Sequence, residues 1–162
     1  MYTEQNKGFT VITNFGCDCH CKYCITKHHP ILQNAVTDKS KIDWDYLEKC
    51  IAASEAPTVN LSGGGDPFYH WQENIDFYNR MYELATKYGK QLDIHTRILP
   101  TDMDLILKFR KIALSIESYD TKAMEQLRMI LPEIEKTTKL RVINVLNERM
   151  TTEDCLAYIN KM

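Results

Sequence analysis

Five short apolar stretches recur along the chain, and each is followed by a segment with helical spacing. Phe9 to Thr13, Thr58 to Leu61, Gln91 to Thr96, Lys111 to Ile116 and Leu140 to Leu146 read as strands, the first of them buried. A repeat of about thirty residues is the size of one βα unit. Regular strand–helix alternation implies parallel strands joined by right-handed crossovers. A closed (β/α)8 barrel needs on the order of 250 residues, and this chain has 162. The pattern therefore predicts an α/β fold: a partial, open parallel (β/α) barrel of about five to six units, forming one domain over residues 1–162.

The helical segments carry their own start and stop signals. Asp43 is a good N-cap, and Ile42 with Leu47 fits a hydrophobic staple. Leu47, Cys50 and Ile51 form the apolar stripe of that helix, and Pro57 closes the segment. A second helix is expected from about Trp71 to Tyr88, with Ile75, Tyr78, Tyr82 and Ala85 inward and Gly89 as the C′ residue. Thr101 and Asp104 make a capping-box-like start for a short helix. A fourth helix runs from Asp120 to about Ile130 with Met124, Leu127 and Leu131. Thr151 or Thr152 caps a last one bearing Leu156 and Ile159.

Composition narrows the class. The apolar fraction of 44% is enough for a core. A formal net charge of −2 gives no reason to expect a nucleic-acid surface. No apolar run approaches a membrane span. With no export signal in view, the expected compartment is the cytosol, where thiols stay reduced and can bind metal.

The chemistry concentrates in residues 14–25, on the loop leaving the first strand. Cys17, Cys21 and Cys24 follow the spacing C-x-x-x-C-x-x-C, and Tyr23 stands just before the last cysteine. Three thiolates suit an iron–sulfur cluster that keeps one iron open. Cys19 lies inside the motif, with His20, His28 and His29 near, so Cys17, Cys19, Cys21 and Cys24 also suit a zinc site. A disulfide framework fits poorly, because Cys50 and Cys155 sit singly in helical patterns.

The cysteine motif with its preceding aromatic resembles the signature of the radical S-adenosylmethionine (radical SAM) enzymes. In that family the open iron of a [4Fe–4S] cluster chelates the amino and carboxylate groups of SAM. An electron passes to the sulfonium, and a 5′-deoxyadenosyl radical is released. The family core is a six-unit partial barrel; five units are countable here, so the sixth is missing or supplied by something else. The second loop, residues 62–67, contains Gly64-Gly65-Asp66-Pro67. It resembles the family's Gly-Gly-Glu-Pro element, whose backbone and acid hold the amino group of SAM. Asp66 keeps the charge but is shorter by a methylene.

Both loops follow strands, and in a parallel βα architecture ligands collect at the C-terminal strand ends. Sequence order thus puts them on one rim. The glycines suit either close approach to a ligand or a tight turn with φ > 0. A phosphate loop is disfavoured, since no Lys-Ser or Lys-Thr comes after the glycines. His95, Thr96 and Arg97 at the third strand end either face the ligand or cap the next helix. Ser115 and Glu117 share one face of the fourth strand, opposite Ile116. The resemblance places them at the ribose or carboxylate of SAM, the alternative being a hydrogen-bonded strand end. Asn144 either reaches the nucleoside or satisfies a neighbouring backbone group. The resemblance puts Tyr23 beside the cluster and the adenine of SAM. His70 and Trp71 either line the site or start a helix. Cys19 has no role in the resemblance. Lys22 and Lys27 either dock an acidic electron donor or are simply solvated.

The resemblance implies a small radical SAM enzyme fed by a flavodoxin- or ferredoxin-like donor. An open barrel with an unpaired strand edge invites a macromolecular partner as substrate, as in an activase that installs a glycyl radical. Gly-Gly-Asp-Pro and His-Thr-Arg also look like parts of the larger pyridoxal-phosphate aminomutases. Modification of a nucleoside or peptide is a further alternative within the superfamily. Outside it stands a zinc-stabilised interaction module.

Overall fold

The structure, a computed structural model, describes residues 8–19, 21, 24, 39–116, 121–143, 151–153 and 156–157, with the backbone alone for 121–123. Five strands, β1 (Gly8–Ile12), β2 (Thr58–Ser62), β3 (Gln91–Thr96), β4 (Lys111–Ser115) and β5 (Lys139–Ile143), form one sheet. They lie side by side in chain order, and every pairing is parallel. Helices α1 (Trp44–Ala53), α2 (Ile75–Lys87), α3 (Met103–Ile106) and α4 (Thr121–Ile134) connect them in turn. Among the described residues no helix is long and apolar enough to cross a membrane.

Strand order decides how the layers form. Because the sheet advances one strand at a time in a single direction, crossovers of one hand put every helix on the same face. A doubly wound sheet reverses direction at a switch point, and this one does not. Packing agrees: Ile51, Met81, Leu127 and Ile134 from the helices share one buried cluster with Val59, Leu61, Leu92, Ile94, Ile112 and Leu114 from the strands. The result is a singly wound parallel βα array, compatible with the partial fold expected from the alternation.

The opposite face carries the alternate residues. Thr10, Asn60, Asp93, Lys111 and Lys139 form one row across all five strands. Asp93 is buried there, and it accepts from Arg110 Nε (2.9 Å) and Nη2 (2.5 Å) and pairs with Lys111 Nζ at 3.1 Å. A buried carboxylate persists only when paired and hydrogen-bonded in this way.

Several elements differ in detail from the sequence expectation. β1 is not a buried strand. Phe9 and Val11 are half-buried, and Ile12 is 54% exposed, because an edge strand is covered on one side only. Residues 71–74 form a 3-10 turn rather than the start of α2. The stripe of α2 centres on Met81, flanked by Phe77, Tyr78, Leu84 and Ala85. Tyr82 lies about 100° round from that centre and is 41% exposed. Asp43 does cap α1, its Oδ1 accepting from Tyr46 N at 2.9 Å. α3 is capped by Asp102 instead of Thr101, Oδ1 accepting from Leu105 N at 3.0 Å. Gly89 follows α2 in the left-handed region, and Lys90 N closes the turn on Ala85 O at 2.8 Å. α4 runs past Ile130 and through Pro132 to Ile134. Proline forgoes one intrahelical bond, and the buried Ile134 beyond it anchors the extra turn in the core.

The core should respond by position. Ile94→Ala, in the middle of the sheet and fully buried, is expected to lower unfolding free energy by about 2–5 kcal/mol. Met129→Ala, on the exposed side of α4, should stay within about 0.5 kcal/mol. Urea titration followed by circular dichroism measures both.

Candidate functional site

The loops leaving β1 and β2 are joined along their length. The ladder continues one step beyond the strands, with Thr13 N donating to Ser62 O at 3.3 Å. Three residues farther along, Gly16 and Gly65 form a parallel bridge, and Asp66 N donates to Gly16 O at 2.9 Å. The register has slipped by one residue between Ile12–Ser62 and Gly16–Gly65. The cysteine side therefore bulges relative to the glycine side.

This contact explains the glycines. Gly64 has φ 67° and Gly65 φ 135°. A Cβ on Gly64 would run into the Thr13 carbonyl, and one on Gly65 into the Gly16 backbone. Both positions need glycine because the cysteine loop lies directly against them. That partner is invisible in the local sequence, which allows either close approach to a ligand or a tight turn.

Aromatic packing holds the two loops from below. Phe15 stands edge-on to Phe77 and Tyr78 of α2, at 5.0 and 6.3 Å between centroids. Phe68, just after the glycine loop, packs edge-on to Tyr78 at 5.4 Å and Phe109 at 5.3 Å. Tyr78 Oη donates to Pro67 O at 2.6 Å. One helix thus anchors the entry of the cysteine loop and the exit of the glycine loop.

Asp66 adds the third strand end. It is 5% exposed. Oδ1 accepts from Phe68 N (2.9 Å) and from the Thr96 hydroxyl (2.6 Å), and Oδ2 accepts from Arg97 N (2.6 Å). Burial pushes this carboxyl above the usual carboxylate range, opposed by the same hydrogen bonds from Thr96, Arg97 and Phe68. The acid is committed to the shape of the rim.

The cysteines divide into two contacts. Cys17 is exposed, while Cys19, Cys21 and Cys24 are half-buried. Cys17 Sγ accepts from Cys19 N at 3.3 Å. The ligand atoms of Cys17, Asp18 and Cys19 all lie within 4.8 Å of one another. Burial, then the neighbouring Cys17, push the Cys19 thiol up to about 12, against the pull of Arg97. Cys21 and Cys24 share a turn, Cys24 N donating to Cys21 O at 3.3 Å. Arg97 Nη1 donates to Cys21 Sγ at 3.1 Å. Cys19 and Arg97 therefore belong to the thiol group. The spacing of the motif does not assign Cys19, and only the sheet order brings β3 to the cysteine loop.

The other candidate residues fall in different places. Ser115 ends β4 half-buried, on the face opposite Leu114 and Ile116. His95 is half-buried on that same face, across from Ala113. Its burial, together with the charges of Lys111 and Arg141, lowers its proton affinity against the pull of Asp93. His70 is exposed with φ 49° and stands 3.6 Å from Glu73, and Trp71 opens the 3-10 turn and packs on the core. Tyr23, Glu117 and Asn144 lie outside the described residues, as do His20, Lys22, Lys27, His28, His29 and Cys155. A sulfur-rich donor set of this kind is chemically suited to zinc or to an iron–sulfur cluster.

No family model matches the chain, and no curated protein or solved structure matches it.

Two left-handed glycines separate the loop contact from ordinary backbone strain. Gly89→Ala meets open space and should cost about 1–2 kcal/mol. Gly64→Ala carries the same backbone penalty and must also part the two loops, adding roughly 1–3 kcal/mol. Denaturant midpoints of the two variants test the difference.

Proposed function

We propose that the protein is a small radical SAM enzyme with a partial-barrel core. The observation that carries this reading is the Gly16–Gly65 bridge with its Asp66 N to Gly16 O hydrogen bond. It sets the C-x-x-x-C-x-x-C loop against the Gly-Gly-Asp-Pro loop at the C-terminal rim of a parallel sheet, where ligands bind in such folds. The donor set fits a [4Fe–4S] cluster: soft thiols on one loop, with Cys17 exposed and Cys21 and Cys24 in one turn. A singly wound sheet of five parallel strands supports the partial barrel.

In this reading Cys17, Cys21 and Cys24 would hold the cluster, and SAM would bind it at a position that no cysteine occupies. Once bound, the cluster would supply one electron to the sulfonium of SAM, breaking the C5′–S bond to release methionine and a 5′-deoxyadenosyl radical that would take a hydrogen atom from a substrate. Gly64 and Gly65 lay the glycine loop beside the cysteine loop, where its backbone would face the amino group of bound SAM. Asp66 acts by fixing that loop, since Phe68, Thr96 and Arg97 engage its carboxylate. Ser115 stands at the same rim for the ribose or carboxylate. A reduced flavodoxin- or ferredoxin-like protein provides the electron. A protein substrate, as for a glycyl-radical activase, suits an array whose β1 edge is unpaired among the described strands.

One observation favours a second reading. The close approach of Cys17, Asp18 and Cys19 ligand atoms suits part of a zinc site in an interaction module.

Anaerobic reconstitution with iron and sulfide, followed by SAM and dithionite, decides between them. The expected outcome is a brown protein that forms 5′-deoxyadenosine above a no-protein control. Cys17→Ala, Cys21→Ala and Cys24→Ala should each drop to that background, while Cys19→Ser should retain activity. A colourless protein holding stoichiometric zinc and forming no 5′-deoxyadenosine would select the second reading.

A further inference from the structure

We propose that Arg97 is a positioning residue that raises the reduction potential of the cluster through its hydrogen bond to Cys21. This inference rests on the radical SAM reading of the cysteine loop and adds a role that the motif does not contain. Cys21 Sγ here stands for the thiolate that would ligate iron.

The geometry holds Arg97 at both ends. Its backbone N–H donates to Asp66 Oδ2 at 2.6 Å, and its guanidinium Nη1 donates to Cys21 Sγ at 3.1 Å. The preceding Thr96 hydroxyl donates to the other Asp66 oxygen at 2.6 Å and accepts from Ile98 N at 2.9 Å. Asp66 in turn is placed by its own N–H on Gly16 O and by Phe68 N. The end of β3 is thereby clamped to the glycine loop, and the guanidinium is aimed at the second cysteine.

The effect on the cluster comes from charge. A guanidinium stays protonated throughout the accessible pH range. A hydrogen bond from a cation to a ligand sulfur stabilises negative charge on that sulfur. One electron from a reduced flavodoxin- or ferredoxin-class donor converts the oxidised cluster to the reduced one, with no bond made or broken. The reduced form carries one more negative charge, so the contact favours it. Hydrogen bonds to the sulfurs are among the factors that set such potentials. Removing this one should lower the ratio of reduced to oxidised cluster about tenfold at a fixed donor potential, which is about 59 mV for a one-electron couple. Half-buried Cys21 is the setting in which the contact is less screened by water than on an open surface.

The test uses the reconstituted full chain. Cluster potentials are measured by redox titration with the reduced-cluster electron paramagnetic resonance signal as readout. Wild type, Arg97→Met and Arg97→Lys are compared at equal iron and sulfide content. The inference expects Arg97→Met to lie lower by about 59 mV or more. Arg97→Lys, which keeps the charge but loses the planar donor fork, should move in the same direction by less. A purely structural role would reduce thermal stability or cluster content and leave the potential of the loaded protein in place. Equal potentials in loaded wild type and Arg97→Met overturn this inference alone, including when the variant binds SAM more weakly. Should Arg97→Met not load, an unchanged potential in Arg97→Lys overturns it. A wild-type protein that takes up no cluster overturns both this inference and the reading beneath it.

Discussion

Asp66, with its backbone amide and its buried carboxylate, joins three strand ends that are far apart in sequence. Its own amide reaches back to the loop after β1, and its oxygens receive donors from the end of β3. Burying a carboxylate is costly unless its oxygens are satisfied. Here the satisfaction comes from groups on the very segments that must be held together. The loop backbone around residues 63–66 is left-handed at successive glycines and makes no regular ladder beyond its bridge to Gly16. Without the Asp66 carboxylate, Thr96 Oγ1 would keep only its contacts to the Ile98 backbone, and the end of β3 would lose its side-chain tie to the glycine loop.

The sheet makes this convergence possible. A parallel sheet in sequential order puts every C-terminal strand end on one rim, so loops after β1, β2 and β3 are neighbours by topology. Single winding also separates the two faces by polarity. The helix-covered face is apolar and includes Val59, Leu61, Ile94 and Leu114 among its fully buried side chains. The other face carries Thr10, Asn60, Asp93 and His95, with Asn60 Oδ1 buried and without a protein donor among the described residues. A polar face of that kind is poor material for packing helices and suits a site. The aromatic cluster of Phe15, Phe68, Phe77, Tyr78 and Phe109 links the two regions, because it is core at one end and loop anchor at the other.

Much of the architecture is legible in residue order. The five strands fall where short apolar runs lie, β3 at the same limits, Gln91–Thr96. Asp43 and Gly89 mark real helix ends because capping depends on side chains and φ values local to the terminus. The differences are of another kind. Tyr82 misses the core because the neighbours of α2 centre its buried stripe on Met81, one residue and about 100° away. β1 reads as buried because its residues are apolar, but burial depends on what covers the strand.

The candidate site divides in the same way. Residue identity and spacing mark out the cysteine loop and the glycine run as local patterns, and the resemblance to radical SAM enzymes selects Cys17, Cys21, Cys24, Gly64, Gly65 and Asp66 within them. The direction of the chain places their loops on one rim, because alternation implies parallel strands. Only the tertiary structure decided that the glycines make room for the cysteine loop and that Asp66 serves Thr96 and Arg97. It alone brought Arg97 onto Cys21, 76 residues away. The physical reason is that capping, periodicity and ligand type act over a few residues. A clash with a carbonyl, a shared carboxylate or a guanidinium on a sulfur exists only once folding has brought distant segments into contact.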